Sequence, residues 1–335
     1  MTLKTSPAKT AAFALSGIAV ALAMTSSAHA ALSLTQAGID DHFTLSTFYS
    51  DPVVNYGMLG MTNTSDGHII GTGYARGQLA LFANTDGQTP GSALTTAAAV
   101  GTPTSIATVS GHTYVNQLGG GYFEVNTTTL AETGLARDDN FAAGYGLWAN
   151  QSTGHLLASG LSNGIYDIDP TTGHVRTVTS GVFYDGVSIS PDGAIVYGAG
   201  NGGIYGFNIL TGAQVLAVDG QGRGPDGTGV ISGGALNGFI IVNNNDGTVG
   251  LIDPTSTMQT IIATGGSRGD LVGPDASTGT LFLSSYEQVY RLGVEGGAIG
   301  GGPGVPEPST WAMMLLGFGG LGSVIRRRRA RLAVV

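Results

Sequence analysis

A turn glycine followed at once by a short apolar run recurs about every forty residues, and this spacing constrains the fold more than any other feature. The glycines are Gly67, Gly111, Gly154, Gly193, Gly238 and Gly279, at steps of 44, 43, 39, 45 and 41 residues. They open runs such as Gly67-His68-Ile69-Ile70, Gly154-His155-Leu156-Leu157 and Gly279-Thr280-Leu281-Phe282. About ten residues on, a second run alternates apolar and polar residues and often ends in Asn or Asp, as at 121–126, 164–169, 203–208 and 248–253. Turn residues follow, as in Asp169-Pro170-Thr171-Thr172-Gly173, and then a third run. Another run, clearest at Leu147-Trp148-Ala149 and Val187-Ser188-Ile189, precedes the glycine. Period-two runs bounded by Gly, Asn and Asp read as strands. Four short strands in about forty residues is the arithmetic of a propeller blade. A single such sheet cannot bury both faces, whereas blades packed around an axis can.

The expected fold is therefore all-β: a β-propeller of six or seven four-stranded blades over 31–294. Six copies are visible between about 55 and 292. The segment 31–49 either supplies the strand that closes the ring or begins a degenerate seventh blade. An irregular sandwich or a solenoid competes, but solenoid coils are usually shorter than this repeat.

The two ends have a different character. Lys4 and Lys9 precede an uncharged apolar run at 11–24, and Ala28-His29-Ala30 is a small-x-small cleavage site. Residues 1–30 thus read as a signal peptide for the general secretion route, cut after Ala30, with Ala28 the other small residue. The apolar run is shorter than the roughly 18 residues a permanent span needs. At the other end, 295–304 is a Gly-rich linker expected to be flexible. Val305-Pro306-Glu307-Pro308 comes next, then fifteen uncharged residues at 311–325, then Arg326, Arg327, Arg328 and Arg329. The uncharged stretch is expected to form a short membrane helix with Trp311 at the interface and the arginines in the cytoplasm. Fifteen residues suit a transient anchor better than a stable one.

This arrangement resembles the PEP-CTERM sorting signal, also called the ice-binding-protein-type C-terminal motif, over 305–331. The resemblance implies an exosortase-type membrane peptidase as partner, transient anchoring in the inner membrane through 311–325, and cleavage near Pro306-Glu307-Pro308. The product would go to the cell surface or the extracellular matrix of a bacterium that makes exopolysaccharide or biofilm. In the repeats, Ser190-Pro191-Asp192-Gly193 and 165–173 resemble the bacterial extracellular propellers of the YVTN and NHL type.

Composition narrows the function classes. Between 31 and 304 the chain has no lysine and only six arginines against 21 carboxylates, a net charge of −15. Nucleic acid binding needs basic groups to displace phosphate counterions, so it is not expected. With no cysteine, disulfides, thiolate metal sites and thiol nucleophiles do not arise. No P-loop or His-Glu-x-x-His pattern is present, and with helical periodicity almost absent no strand-to-helix nucleophile elbow is expected.

The candidate ligand-binding residues are Asp185 and Asp270. Aligning the repeats places Tyr56-Gly57, Tyr145-Gly146, Asp185-Gly186, Thr228-Gly229 and Gly269-Asp270 at similar positions on the first strands, which line a propeller's channel. Carboxylates there would suit Ca²⁺; no other cofactor is called for. Asp185-Gly186-Val187 resembles a piece of the SMP-30-type metal lactonases. That resemblance implies a metal-dependent lactonase, hydrolase or lyase, but its early glutamate has no counterpart, since the first glutamate here is Glu124. His68, His112 and His155 recur after the turn glycine and read as turn residues on separate blades. Arg268-Gly269-Asp270 matches an adhesion tripeptide at a high chance rate. The Asn/Asp-rich stretch 243–247 has Val242 where an EF-hand loop needs its first acid. Flat threonine arrays suited to ice do not stand out. The leading expectation is a binding or structural module, with polysaccharide or a surface protein as ligand.

Overall fold

The computed structural model describes residues 31–138, 142–161 and 164–300. It holds six antiparallel sheets, each built on a four-stranded meander. Blades one to five occupy 61–98, 103–138, 143–179, 187–219 and 225–264 in chain order. Blade six takes three strands from 269–294 and its outer strand from Phe43–Ser50, which pairs with Gln288–Val294 from Phe43↔Val294 to Ser50↔Gln288. The segment at 31–49 therefore closes the ring, and no seventh blade forms among the described residues. First strands of adjacent blades pack on one another and surround the axis.

A shared turn explains why the third and fourth strands of four blades meet in the same way. Asn126, Asp169, Asn208 and Asp253 each end the alternating run, and each side chain accepts the backbone N–H two residues on. Each carbonyl also accepts the N–H four residues on, from Leu130, Gly173, Gly212 and Thr257 at 2.8–2.9 Å. Those four residues are left-handed, with φ of 59°, 70°, 69° and 59°. Asn and Asp suit this turn because a short polar side chain can replace a backbone partner.

The core lies between blades. One cluster spans blades three to six and includes Trp148, Leu157, Val196, Ile241 and Leu292. Smaller clusters seal the remaining blade interfaces. At the closure, Phe48 is fully buried, with ring centroids 4.8 Å from Phe282 and 6.2 Å from Phe82. Arg291 lies over Phe48 and Phe282 and pairs with buried Asp275.

One expectation needs correction. Part of the expected linker 295–304 belongs to the fold: Ala298–Ile299 pairs with Ile231 and Ser232 on the inner edge of blade five, and both residues are buried. Apolar side chains and free inner-edge hydrogen-bonding groups outweigh the glycine content there. The signal segment with Ala28 and Ala30, and the module at 305–331 with its expected membrane helix 311–325, lie outside the described residues. Among the described residues no helix is long and apolar enough to cross a membrane.

Candidate functional site at the channel mouth

All first strands run the same way, so their starting ends gather at one mouth of the channel. Glycine sets how close they come. The Gly186 amide donates to the Asp226 carbonyl at 2.7 Å, and a Cβ on Gly186 would lie 2.6 Å from that oxygen. A Cβ on Gly146 would lie 2.5 Å from the Asp185 carbonyl, and one on Gly227 2.7 Å from that of Asp270. Any side chain at these positions would push the blades apart. The residues just before the glycines, Tyr145, Asp185 and Asp226, face a cavity of about 280 Å³, as do Asp270 of blade six and Leu59 of blade one.

Asp185 and Asp270 thus reach the same cavity, and two further charged groups join them. Asp226 is 2 % exposed and stands between them. It accepts a hydrogen bond from Asp185 and one from Asn245. Arg268 reaches Asp226 at 3.5 Å, donates to Asn245 Oδ1 at 2.6 Å, and lies 5.8 Å from the centre of the Tyr56 ring. Burial, then the Asp226 charge and hydrogen bond, push the Asp185 carboxyl up to about 7. Burial also raises Asp226, and raises Asp270 well above the usual carboxylate range. The physical picture is a cluster of three carboxyls that burial and mutual repulsion keep from all ionising at once, with Asp185 hydrogen-bonded to Asp226.

Aromatic residues form the rest of the wall. Tyr56 meets Tyr74 and Tyr286 edge-on at 6.4 and 4.7 Å, and Tyr145 meets Phe183 at 6.3 Å. Tyr74 and Tyr145 are hydrogen-bonded through their hydroxyls, as are Tyr56 and Tyr286. Burial is the main reason the Tyr56 and Tyr145 hydroxyls are harder to ionise than usual.

The aligned pair Thr228-Gly229 is not the mouth position of blade five; Asp226-Gly227 is. The turn after the first strand is longer there, closing Ile231 on Phe239 where blade four closes Ser190 on Ile195, and this displaced the alignment by two residues. The signal that would have found Asp226 is its Asp-Gly dipeptide, identical to Asp185-Gly186. The histidines do not converge: His68 pairs with Asp66 at 3.1 Å, His112 with Glu124 at 2.6 Å, and His155 with Asp167 at 2.8 Å, each within its own blade. The Arg268-Gly269-Asp270 tripeptide is built into the mouth, with Asp270 buried rather than displayed.

The SMP-30-type resemblance implies a metal. Among the described residues no group of three or more His, Asp or Glu is placed to hold one. The mouth carboxyls are engaged with one another and with Arg268, so the donor set does not fit such a site.

Comparison with solved structures places the fold. A gluconolactonase from Xanthomonas campestris is similar at TM-score 0.55 and 11 % identity, covering 78 % of this chain and 94 % of that one. A protein of unknown function from Bacteroides thetaiotaomicron is similar at TM-score 0.59 and 10 % identity, covering 77 % and 76 %. A luciferin-regenerating enzyme is similar at TM-score 0.56 and 12 % identity, covering 76 % and 97 %. At these identities the likeness concerns the fold alone. No curated protein matches the chain in sequence. Residues 304–329 match the family model of the PEP-CTERM protein-sorting motif. The chain is a six-bladed β-propeller whose residues 304–329 match the PEP-CTERM protein-sorting motif.

Proposed function

We propose that this is an exported propeller, handled by an exosortase-type membrane peptidase and delivered to the cell surface or extracellular matrix. There its channel mouth binds a saccharide unit of an exopolysaccharide without turnover. The observation that carries the ligand reading is the wall of Tyr56, Tyr74, Tyr145 and Phe183 around a small group of carboxyls and one guanidinium. Aromatic faces pack on the apolar faces of sugar rings, and a few placed polar groups orient the hydroxyls. The sorting motif supports export by way of the exosortase.

A hydrolase is the second reading, and one observation favours it. Asp185, held at about 7 beside Asp226, is poised for proton transfer at neutral pH. The gluconolactonase neighbour lends only its fold. Calorimetric titration of the 31–300 domain, whose ring closes on itself, with exopolysaccharide oligosaccharides separates the two. The expected result is saturable binding, weakened at least tenfold by Tyr145→Ala, with the sugar recovered intact. Turnover abolished by Asp185→Ala would establish the hydrolase, and unchanged binding by Tyr145→Ala would remove the mouth from either reading.

A further inference from the structure

The chain leaves the propeller at its axis, on the end opposite the mouth. Ala298–Ile299 adds to the inner edge of blade five, and the Gly300 amide donates to the Val230 carbonyl at 2.9 Å. A Cβ on Gly300 would lie 2.4 Å from Pro274 Cβ of blade six and 3.3 Å from the indole of Trp148 in blade three. Blades three and six face each other across a six-membered ring, so Gly300 lies over the channel. Val230 and Pro274 sit near the finishing ends of their first strands, whereas Asp226 and Asp270 sit near the starting ends. The mouth is open to ligand and the far end is closed by the chain's own last strand.

From this placement we infer that, while the tail is intact, the propeller is held with its sealed end toward the membrane and its mouth facing away. The inference rests on the sorting reading above and goes beyond it. Only residues 301–310 separate Gly300 from the apolar stretch that starts at Trp311. Even fully extended, ten residues reach about 36 Å at most. A compact domain of this length has a radius of gyration of about 18 Å, equivalent to a sphere of radius about 24 Å. To turn the mouth onto the bilayer, the tether would have to cross the sealed face to the rim and then run the depth of the domain. That path is roughly 60 Å or more on the same scale. The tether is too short, so the mouth stays exposed to ligand before cleavage. Pro306 lies within about 22 Å of Gly300 at full extension, close beneath the sealed face where a membrane-embedded peptidase would act.

Because the chain has no cysteine, single substitutions report cleanly. Val53→Cys sits on the mouth-side loop that carries Tyr56, at a position 81 % exposed. Ser65→Cys sits in the exposed turn between Met61–Asn63 and Ile69–Gly73, at the sealed end. Each variant of residues 31–335 is labelled with a small fluorophore and inserted through its tail into phosphatidylcholine–phosphatidylglycerol vesicles containing a nitroxide lipid. Quenching at position 65 should exceed that at 53 at least threefold. A flexible Gly-Ser insertion of 20 residues after Gly300 should erase the difference. Equal quenching without the insertion, or stronger quenching at 53, overturns the orientation. A difference that survives the insertion also overturns it, since the tether would then not be its cause. Quenching at neither position removes the membrane attachment itself, and the sorting reading falls with it.

Discussion

Replacing Asp185 with asparagine should stabilise this protein at neutral pH, because the mouth holds an acid where burial disfavours its charge. Burial and Asp226 push Asp185 from 3.8 up to about 7. A carboxyl with a folded-state pKa above its unfolded value binds its proton more tightly when folded. Stability therefore falls as pH rises from about 4 to about 7, and the cost is fully present above 7. At 1.36 kcal/mol per pH unit the displacement amounts to about 4 kcal/mol. Asp226 carries part of that cost and Asp185 is only partly buried, so removing one acid should recover about 2 kcal/mol. The asparagine amide keeps the shape and still donates to Asp226. For a domain of this size the gain corresponds to roughly 4–8 °C in Tm. Thermal and urea unfolding of wild type and Asp185→Asn between pH 4 and 8 would test it. The two should coincide near pH 4 and separate progressively up to pH 7. Titrations shared by both proteins cancel in the difference, and the carboxyls pulled down by hydrogen bonds, such as Asp66, Asp169 and Asp192, act below this window. A variant no more stable than wild type at pH 8, or a difference independent of pH, would refute the reasoning.

Two further outcomes test the ends of the ring. Phe48→Ala removes a fully buried ring that joins the closing strand to Phe82 and Phe282, and should cost about 3–5 kcal/mol in urea unfolding. A loss under about 1 kcal/mol would mean that the closure does not depend on this contact. Ending the domain at Gly297 instead of Gly300 removes the strand at Ala298–Ile299. Trp148 is the only tryptophan between 31 and 300, so its emission should shift to the red as water reaches it; an unchanged spectrum would show that the last strand does not seal the channel.

Blade architecture was legible in the sequence because it depends on turns, and turns are local. The glycines at 67 through 279 and the Asn/Asp turn residues mark strand ends through hydrogen bonds spanning four residues or fewer. Ring closure was legible only as an alternative, since nothing near Phe43–Ser50 states that its partner lies some 240 residues away. Asp185 and Asp270 could be picked out by repeat position. Asp226 could not, because the longer turn between Ile231 and Phe239 moved the frame counted back from Gly238. Arg268 and Tyr74 escaped for a different reason: they reach the mouth from loops, where no period indicates direction. The strand at Ala298–Ile299 was hidden by glycines on both sides, which read as linker until the free inner edge of blade five is seen beside it.

The mouth shows how one repeated unit supports both a common scaffold and a particular site. Gly146, Gly186 and Gly227 are fixed by contact, since each lies against the backbone of the next blade and no side chain fits. The residue before each glycine has no such constraint, because its side chain points into the channel. The ring can therefore vary that position blade by blade without disturbing how blades pack. That position carries tyrosine in blade three and aspartate in blades four and five; Asp270 of blade six, followed by Leu271 rather than glycine, joins them, so three acids fall in one half of the mouth. Their mutual repulsion is relieved by protonation and by Arg268. A soluble scaffold gains nothing from such crowding. The acids carry a cost to stability at the open end of the channel, and such a cost is what the proposed ligand-binding mouth would explain.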